Sequence, residues 1–307
     1  MQSSLVGGGA GTGRRGGSSG PRPLPPPAPG VSRRRLLSAA AAAAAWTTAA
    51  PPPAARAEAT MLVGPPGTAA KFQTIGDAIA AAEAGGTITV LPGQYRERLV
   101  IEGKFLTIQS AQAGTVEVLW QSSKPYEHTL ETKNTSGAVT VRGLTLRHFS
   151  KSVAQNYCVL AKAGSSLVLE SCDISSDSGV GVGVEGAVLQ LKDSAVHDCE
   201  RHGVAAYGGF EGAPGRCLVM GCTISGNKLS GVFVRDGGNA VLRDNTVANN
   251  GEFGVALLDG CSARLFDNKV AGNGAGSVQI HVGSVAVDAA EVAARNTLDT
   301  PAAAVTL

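Results

Sequence analysis

Apolar residues in the second half of the chain do not come in runs. They return singly, at a fixed interval. Leu169-Glu-Ser-Cys-Asp-Ile174 is echoed by Leu191-Lys-Asp-Ser-Ala-Val196, Val219-Met-Gly-Cys-Thr-Ile224, Leu242-Arg-Asp-Asn-Thr-Val247 and Leu265-Phe-Asp-Asn-Lys-Val270. Eight residues after each copy stands another apolar residue: Val182, Val204, Val232, Val255 and Val278. The anchors Ile174, Val196, Ile224, Val247 and Val270 are spaced by 22, 28, 23 and 23. Around Val247, Ala240 and Leu242 lie on one side and Val255 and Leu257 on the other, two apart in each case. Such alternation predicts strands of a few residues with one face buried. They are too short for hairpins, so equivalent strands of successive coils must pair in parallel, which makes the chain a stacked β-solenoid. Weaker copies extend it through Val139, Val141 and Leu146 at one end and Arg295-Asn296-Thr297-Leu298 at the other.

Departures from the repeat fall where a coil tolerates them. The 28-residue interval carries Gly208-Gly-Phe-Glu-Gly-Ala-Pro-Gly215, a turn-rich inserted loop. Asn245 and Asn268 share one coil position, and Asn227, Asn250 and Asn273 share another. Stacked side-chain amides can bond from rung to rung, so these Asn are expected to hold turns. Cys172 and Cys222 also share a position, with the coil of Ser194 between them. At about 4.8 Å per coil they are beyond disulfide reach, and the six Cys read as small core fillers.

Ahead of the repeats, Ile75, Ala78, Ile79 and Ala82 recur at helical spacing and end at Gly85-Gly86. Thr87–Val90 and Phe105–Ile108 read as strands around the turn Leu91-Pro-Gly-Gln-Tyr95. A short amphipathic helix is expected to cap the first coil, as terminal repeats of a solenoid require. The segment FQTIGDAIAAAEAGGTITVLPGQYRERLVIEGKFLTIQS, residues 72–110, resembles the opening of right-handed parallel β-helix proteins of the pectin-lyase-like superfamily. With the repeats, the resemblance covers roughly residues 62–300. It implies an all-β, single-stranded right-handed parallel β-helix over residues 58–307, and a choice between enzyme and binding scaffold.

Residues 1–57 read differently. They hold seven Arg, no Lys and no acidic residue, with tracts of Gly, Ser, Pro and Ala. Ser32-Arg-Arg-Arg-Leu-Leu37, the run Ala39–Ala45 and Ala55-Arg-Ala57 have the order of a twin-arginine signal with a cleavage site near Ala57. The acid-free residues before it resemble a plastid transit peptide, so the expected address is the chloroplast thylakoid lumen. Secretion or periplasmic export through the same signal is the alternative. The apolar run is too short to span a membrane, and no span is expected in the mature chain. Without the leader, 19 Lys and Arg face 24 Asp and Glu, a net of −5. Nucleic acid is therefore not an expected partner.

Candidate chemistry is sparse. Gly93-Gln-Tyr95-Arg-Glu97 matches the first short motif of pectin methylesterases, but the later motifs, with two Asp, a Gln and an Arg, have no counterpart. The segment is expected to seat the cap. The densest polar stretch is His197-Asp198-Cys199-Glu200-Arg201-His202. His197, Asp198, Arg201 and His202 are the catalytic candidates of an enzyme reading, and His197, Asp198 and His202 a conceivable metal set. The competing reading is a solvated turn. Asp244 stacks on Asp267 and Asp236 on Asp259, which would suit calcium, although Asp236-Gly237 and Asp259-Gly260 are ordinary turn pairs. No cofactor is expected. Carrying the alternation across coils places Glu185, Tyr207, Phe233, Arg235, Gln279 and His281 on one outward wall. The expected function is an exported scaffold or binding module for an extended glycan or a protein partner. The alternative is a polysaccharide lyase, esterase or epimerase.

Overall fold

The computed structural model describes residues 60–152, 156–208, 213–281 and 287–305. The leader reading, with its boundary at residue 57, and the tip of the inserted loop lie outside these residues. Three all-parallel sheets of nine strands each run the length of the described chain. Sheet A runs from Met61–Val63 to Ser262–Phe266, sheet B from Gly93–Tyr95 to Thr297–Leu298, and sheet C from Leu99–Glu102 to Ala303–Val305. One coil visits each in turn, as in Ser166–Glu170, Asp173–Ser176 and Val180–Glu185. This is the parallel solenoid that the repeat predicts and the right-handed β-helix that the resemblance implies.

The repeat's anchors are the core ladders. Ile174, Val196, Ile224, Val247 and Val270 pair in sequence along sheet B. Val182, Val204, Val232, Val255 and Val278 do the same along sheet C. All ten are buried, and at about 1.5–3 kcal/mol for each fully buried aliphatic side chain these columns hold the coil shut. All six cysteines are free and buried among them.

Turns between sheets A and B place one residue per coil at positive φ: Gly143, Ser171, Asp193, Gly221, Asp244 and Asp267. The Asp there tolerate a left-handed backbone, which is why they recur. Asp198 and Asn249 serve the turn after sheet B in the same way. Beside these turns run two amide ladders. Asn245 donates to Asn268 and Asn268 to Asn296, each at 2.8 Å. Asn227 donates to Asn250 at 2.8 Å and Asn250 to Asn273 at 2.9 Å. Each Oδ1 also accepts a backbone N–H of the preceding coil, as Asn250 does from Asn227 at 3.2 Å.

Both ends carry a helix. Helix α1, Ile75–Ala81, buries Ile75, Ala78 and Ile79. Glu97 accepts the N–H groups of Ile75 and Gly76 at 2.8 and 2.7 Å, and Lys104 donates to the carbonyl of Ala82 at 3.0 Å. Glu97 thus does what the Tyr-Arg-Glu segment is expected to do: it seats the cap. Helix α2, Ala289–Arg295, lies against the last strand of sheet A and buries Val292. The sequence reading has no helix there, because a single large apolar residue leaves no periodicity to read.

A buried polar group sits on the outer side of sheet C in the early coils. Glu131, 4% exposed, receives Lys162 at 3.0 Å and also Arg98. Burial alone would raise its pKa, but the two cations outweigh it and hold the carboxyl below its ordinary 4.5. His128, 1% exposed, accepts the N–H of Tyr157 at 3.4 Å, and its Nε2 has no partner. Burial, with Lys162, His148 and Arg98 nearby, outweighs Glu131 and lowers His128 from 6.5 to about 4. His148, also lowered by burial, bridges the Ser176 hydroxyl at 2.9 Å and the Glu127 carbonyl at 3.0 Å.

Two predictions follow from these contacts. Asn250→Ala removes the acceptor of Asn227 Nδ2 and of its N–H; at about 1–3 kcal/mol per stranded buried group, roughly 2–5 kcal/mol of unfolding free energy in urea should be lost. An unchanged urea midpoint would contradict the ladder's structural role. The folded His128 ring resists a proton that the unfolded ring takes below about 6.5, so stability present at neutral pH is lost as pH falls from about 6.5 toward 4. The loss should reach roughly 2–3 kcal/mol for His128 and shrink in His128→Asn, measured as urea midpoints against pH. Glu131 adds its own loss only below its ordinary 4.5, as its carboxyl protonates.

Candidate binding cleft on the outer face of sheet C

Strict alternation breaks at the corner entering sheet C. Val182 faces the core, and so does Gly181: a Cβ there would overlap Val196, Cys199 and the carbonyl of Gly203. Gly203, Gly231 and Gly254 repeat this, facing Ile224, Val247 and Val270. Two inward residues in succession turn the residue before each Gly outward. Val180 leaves the main core in this way, as does its partner Tyr157 ahead of the inward Cys158 and Val159, and the two form a second apolar cluster with Leu160 and Ala205, against which Tyr207 and Phe233 pack.

Further along the same face, one outward row reads Leu160, Gly183, Ala205, Phe233, Ala256 and Gln279, each paired with the next. It is not an open wall, since Leu160, Gly183, Ala205 and Ala256 are buried. The small residues Gly183 and Ala205 lie between two large ones, and the Tyr157 ring fills the space over Gly183, where a Cβ would overlap it. The Tyr157 hydroxyl donates to Glu185 at 2.9 Å, which fixes the ring across one coil.

What remains is a cavity of about 200 Å³. Tyr157, His202, Tyr207 and Phe233 supply its aromatic walls, and Arg201 and Arg235 its charge. His202 stacks on Phe233 with centroids 4.2 Å apart and planes within 12°. Tyr207 meets Phe233 edge-on at 6.2 Å. The Arg235 guanidinium lies 5.6 Å from the Tyr207 ring and 5.8 Å from Phe233, with its Nε on Asp236 at 2.9 Å. Asn156, 1% exposed, is also among the lining residues; its Nδ2 donates to the Ser152 carbonyl, and its buried Oδ1 has no partner among the described residues. Burial raises the Tyr157 and Tyr207 phenols, which stay protonated, and burial with Arg201 and Arg235 lowers His202 to about 4. At neutral pH the cleft offers uncharged aromatic rings and two guanidinium groups.

The sequence candidates are divided by this geometry. Arg201 and His202 join Tyr207, Phe233 and Arg235 at the cavity, and Glu185 is held at its edge by Tyr157. His197 lies on sheet B instead, bonded to Asp173 at 3.1 Å and Asp198 at 2.7 Å. The proposed metal set of His197, Asp198 and His202 is therefore not assembled, and no group of three His, Cys, Asp or Glu gathers for a metal among the described residues. Gln279 and His281 stand two coils beyond Phe233 and Arg235, about 10 Å away at the coil spacing. Tyr157, Val180 and Asn156, which sequence reading missed, come from outside the aligned copies of the repeat or from the corner that breaks alternation.

Solved structures with the same chain path include pectate lyase Pel9A, with a TM-score of 0.51 and 13% identity over 72% of this chain and 67% of that one. Pectin methylesterase PemA from Erwinia chrysanthemi follows at a TM-score of 0.42 and 13% identity, over 71% and 73%. At 13% identity the likeness to pectate lyase Pel9A is one of fold alone. No curated protein matches the sequence. No helix among the described residues is long and apolar enough to cross a membrane. The family model described as "Right handed beta helix region" matches residues 130–291, more than half of the 307. The chain belongs to the right-handed β-helix family.

Proposed function

We propose that this chain is a non-catalytic module that binds an extended glycan along the outer face of sheet C, with one sugar edge held in the cleft of Tyr157, His202, Tyr207, Phe233 and Arg235. The aromatic platform with flanking guanidinium groups carries this reading. Aromatic faces supply contact area for sugar C–H groups at little entropic cost, and charged rims orient hydroxyl and acid substituents. A cavity of about 200 Å³ is smaller than sites that enclose a whole ligand, roughly 300–1,000 Å³, so its occupant must continue beyond it. The long ridge of sheet C offers that continuation.

The chemistry of the lining argues for binding over turnover. Among the described lining residues none is a carboxylate, and Glu185 at the edge already accepts from Tyr157. His202 has its Nδ1 occupied by the N–H of Ser230 at 3.1 Å. An acid and a base free to act on one bond are what a lyase, esterase or epimerase would need here. As for address, the twin-arginine pattern from Ser32 to Leu37 supports an exported module.

The test is affinity electrophoresis of the full chain in gels containing pectin, alginate, xylan or β-glucan. Retardation by at least one glycan is expected, with Phe233→Ala and Tyr207→Ala weakening it about tenfold or more, the scale of an aromatic hot spot. Gln190→Ala, on the outer face of sheet A, should behave as wild type. Retardation by none of the polymers, or turnover abolished by His202→Ala, would overturn the reading. For the address, N-terminal sequencing of the mature protein should start near Glu58; a start before Ser32 would contradict export through this signal.

A further inference from the structure

His202 holds the floor of the cleft through a bond that only its neutral ring can make. Its Nδ1 accepts the backbone N–H of Ser230 at 3.1 Å while its face covers Phe233. A backbone N–H can only donate. A proton on Nδ1 therefore sets two donors against each other, so the ring must turn away from Ser230, and that turn disturbs its parallel stack on Phe233. We propose that His202 is an acid-operated latch: the neutral ring keeps the aromatic platform formed, and protonation releases it and dismantles the cleft.

The surroundings of the ring support this device. Arg201 in the same turn and Arg235 from the next coil both oppose an imidazolium. The nearby carboxylates are engaged elsewhere: Asp236 by Arg235 at 2.9 Å, Glu185 by Tyr157 at 2.9 Å, and Glu252 by the Ser230 hydroxyl at 3.2 Å. Tyr157 and Tyr207 remain neutral phenols. Glu252 also ties the released strand: its hold on Ser230 leaves that residue in place when the ring departs. The same arrangement occurs earlier in the column, where His128 accepts the N–H of Tyr157 at 3.4 Å and meets its ring edge-on at 5.5 Å. Tyr157 and Phe233 are thus each backed by a histidine whose ring nitrogen accepts a backbone N–H. With burial and the two cations lowering His202 to about 4, the latch opens in strongly acidic surroundings and stays shut at neutral pH.

That the latch governs ligand binding rests on the proposed function, but the latch itself can be read without a ligand. The full chain, isotope-labelled, is titrated by NMR from about pH 7 to about pH 3.5. His202 should be the Nε2–H tautomer at neutral pH and protonate near 4. Ser230 amide protection, corrected for intrinsic exchange, should then fall about tenfold per pH unit below that midpoint, with the Phe233 ring signals shifting and the core amide of Val247 still protected. His202→Asn, or His202→Gln if the first misfolds, keeps an acceptor that cannot titrate, and should leave Ser230 protected throughout. A ring that titrates near 6.5 with Ser230 unmoved, the same acid loss in the Asn variant, or Val247 losing protection together with Ser230 would each overturn the latch. If the latch opens as expected but no glycan is retarded, the binding reading alone fails.

Discussion

Everything in this molecule depends on the register between neighbouring coils. Parallel strands bond only to the coil before and the coil after, so an inward Val is useful only when the same position is inward in both neighbours. Ile174, Val196, Ile224, Val247 and Val270 meet that condition in five successive coils. The Asn ladders enforce the same register with polar chemistry, because each amide has one neighbour above and one below. A shift of one residue in a single coil would strand both sets together.

That register turns local sequence choices into a surface. Gly181, Gly203, Gly231 and Gly254 admit no Cβ because the neighbouring coil lies against them, and the residue before each is forced outward. Val180 and His202 reach the outer face by this route, and Tyr157, which pairs with Val180, does so ahead of the inward residues Cys158 and Val159. Gly183 and Ala205 are small, so the row between Leu160 and Phe233 sinks and the rings close around the gap. The cleft is a by-product of the packing that holds the coil, with aromatic and basic side chains placed at its rim.

How much of this was legible in the sequence follows from the same physics. The core positions recur at one interval and alternate within each strand, so Val182, Val255 and their equivalents could be assigned from sequence alone, and with them the fold. The pairs Asp236-Gly237 and Asp259-Gly260 read correctly as turns, with positive φ at each residue. The candidate site was legible only in part. Tyr207, Phe233 and Arg235 follow from alternation, but the Gly-Val corner places two residues inward in succession, and alternation cannot show that. His202 therefore grouped with His197 by proximity in sequence, whereas the coil sends one to the cleft and the other to Asp173 on sheet B. Tyr157 lies just ahead of the aligned copies, and helix α2 carries one large apolar residue where a periodic pattern needs several.

On the proposed function, the outer face of sheet C, and not A or B, meets the glycan. Backbone chemical-shift mapping of the labelled full chain against a glycan that retards it tests this most directly. Shifts are expected to concentrate at Tyr157, His202, Tyr207 and Phe233, with sheet A residues such as Val241 unmoved. Shifts centred on the outer faces of sheet A or B would contradict it.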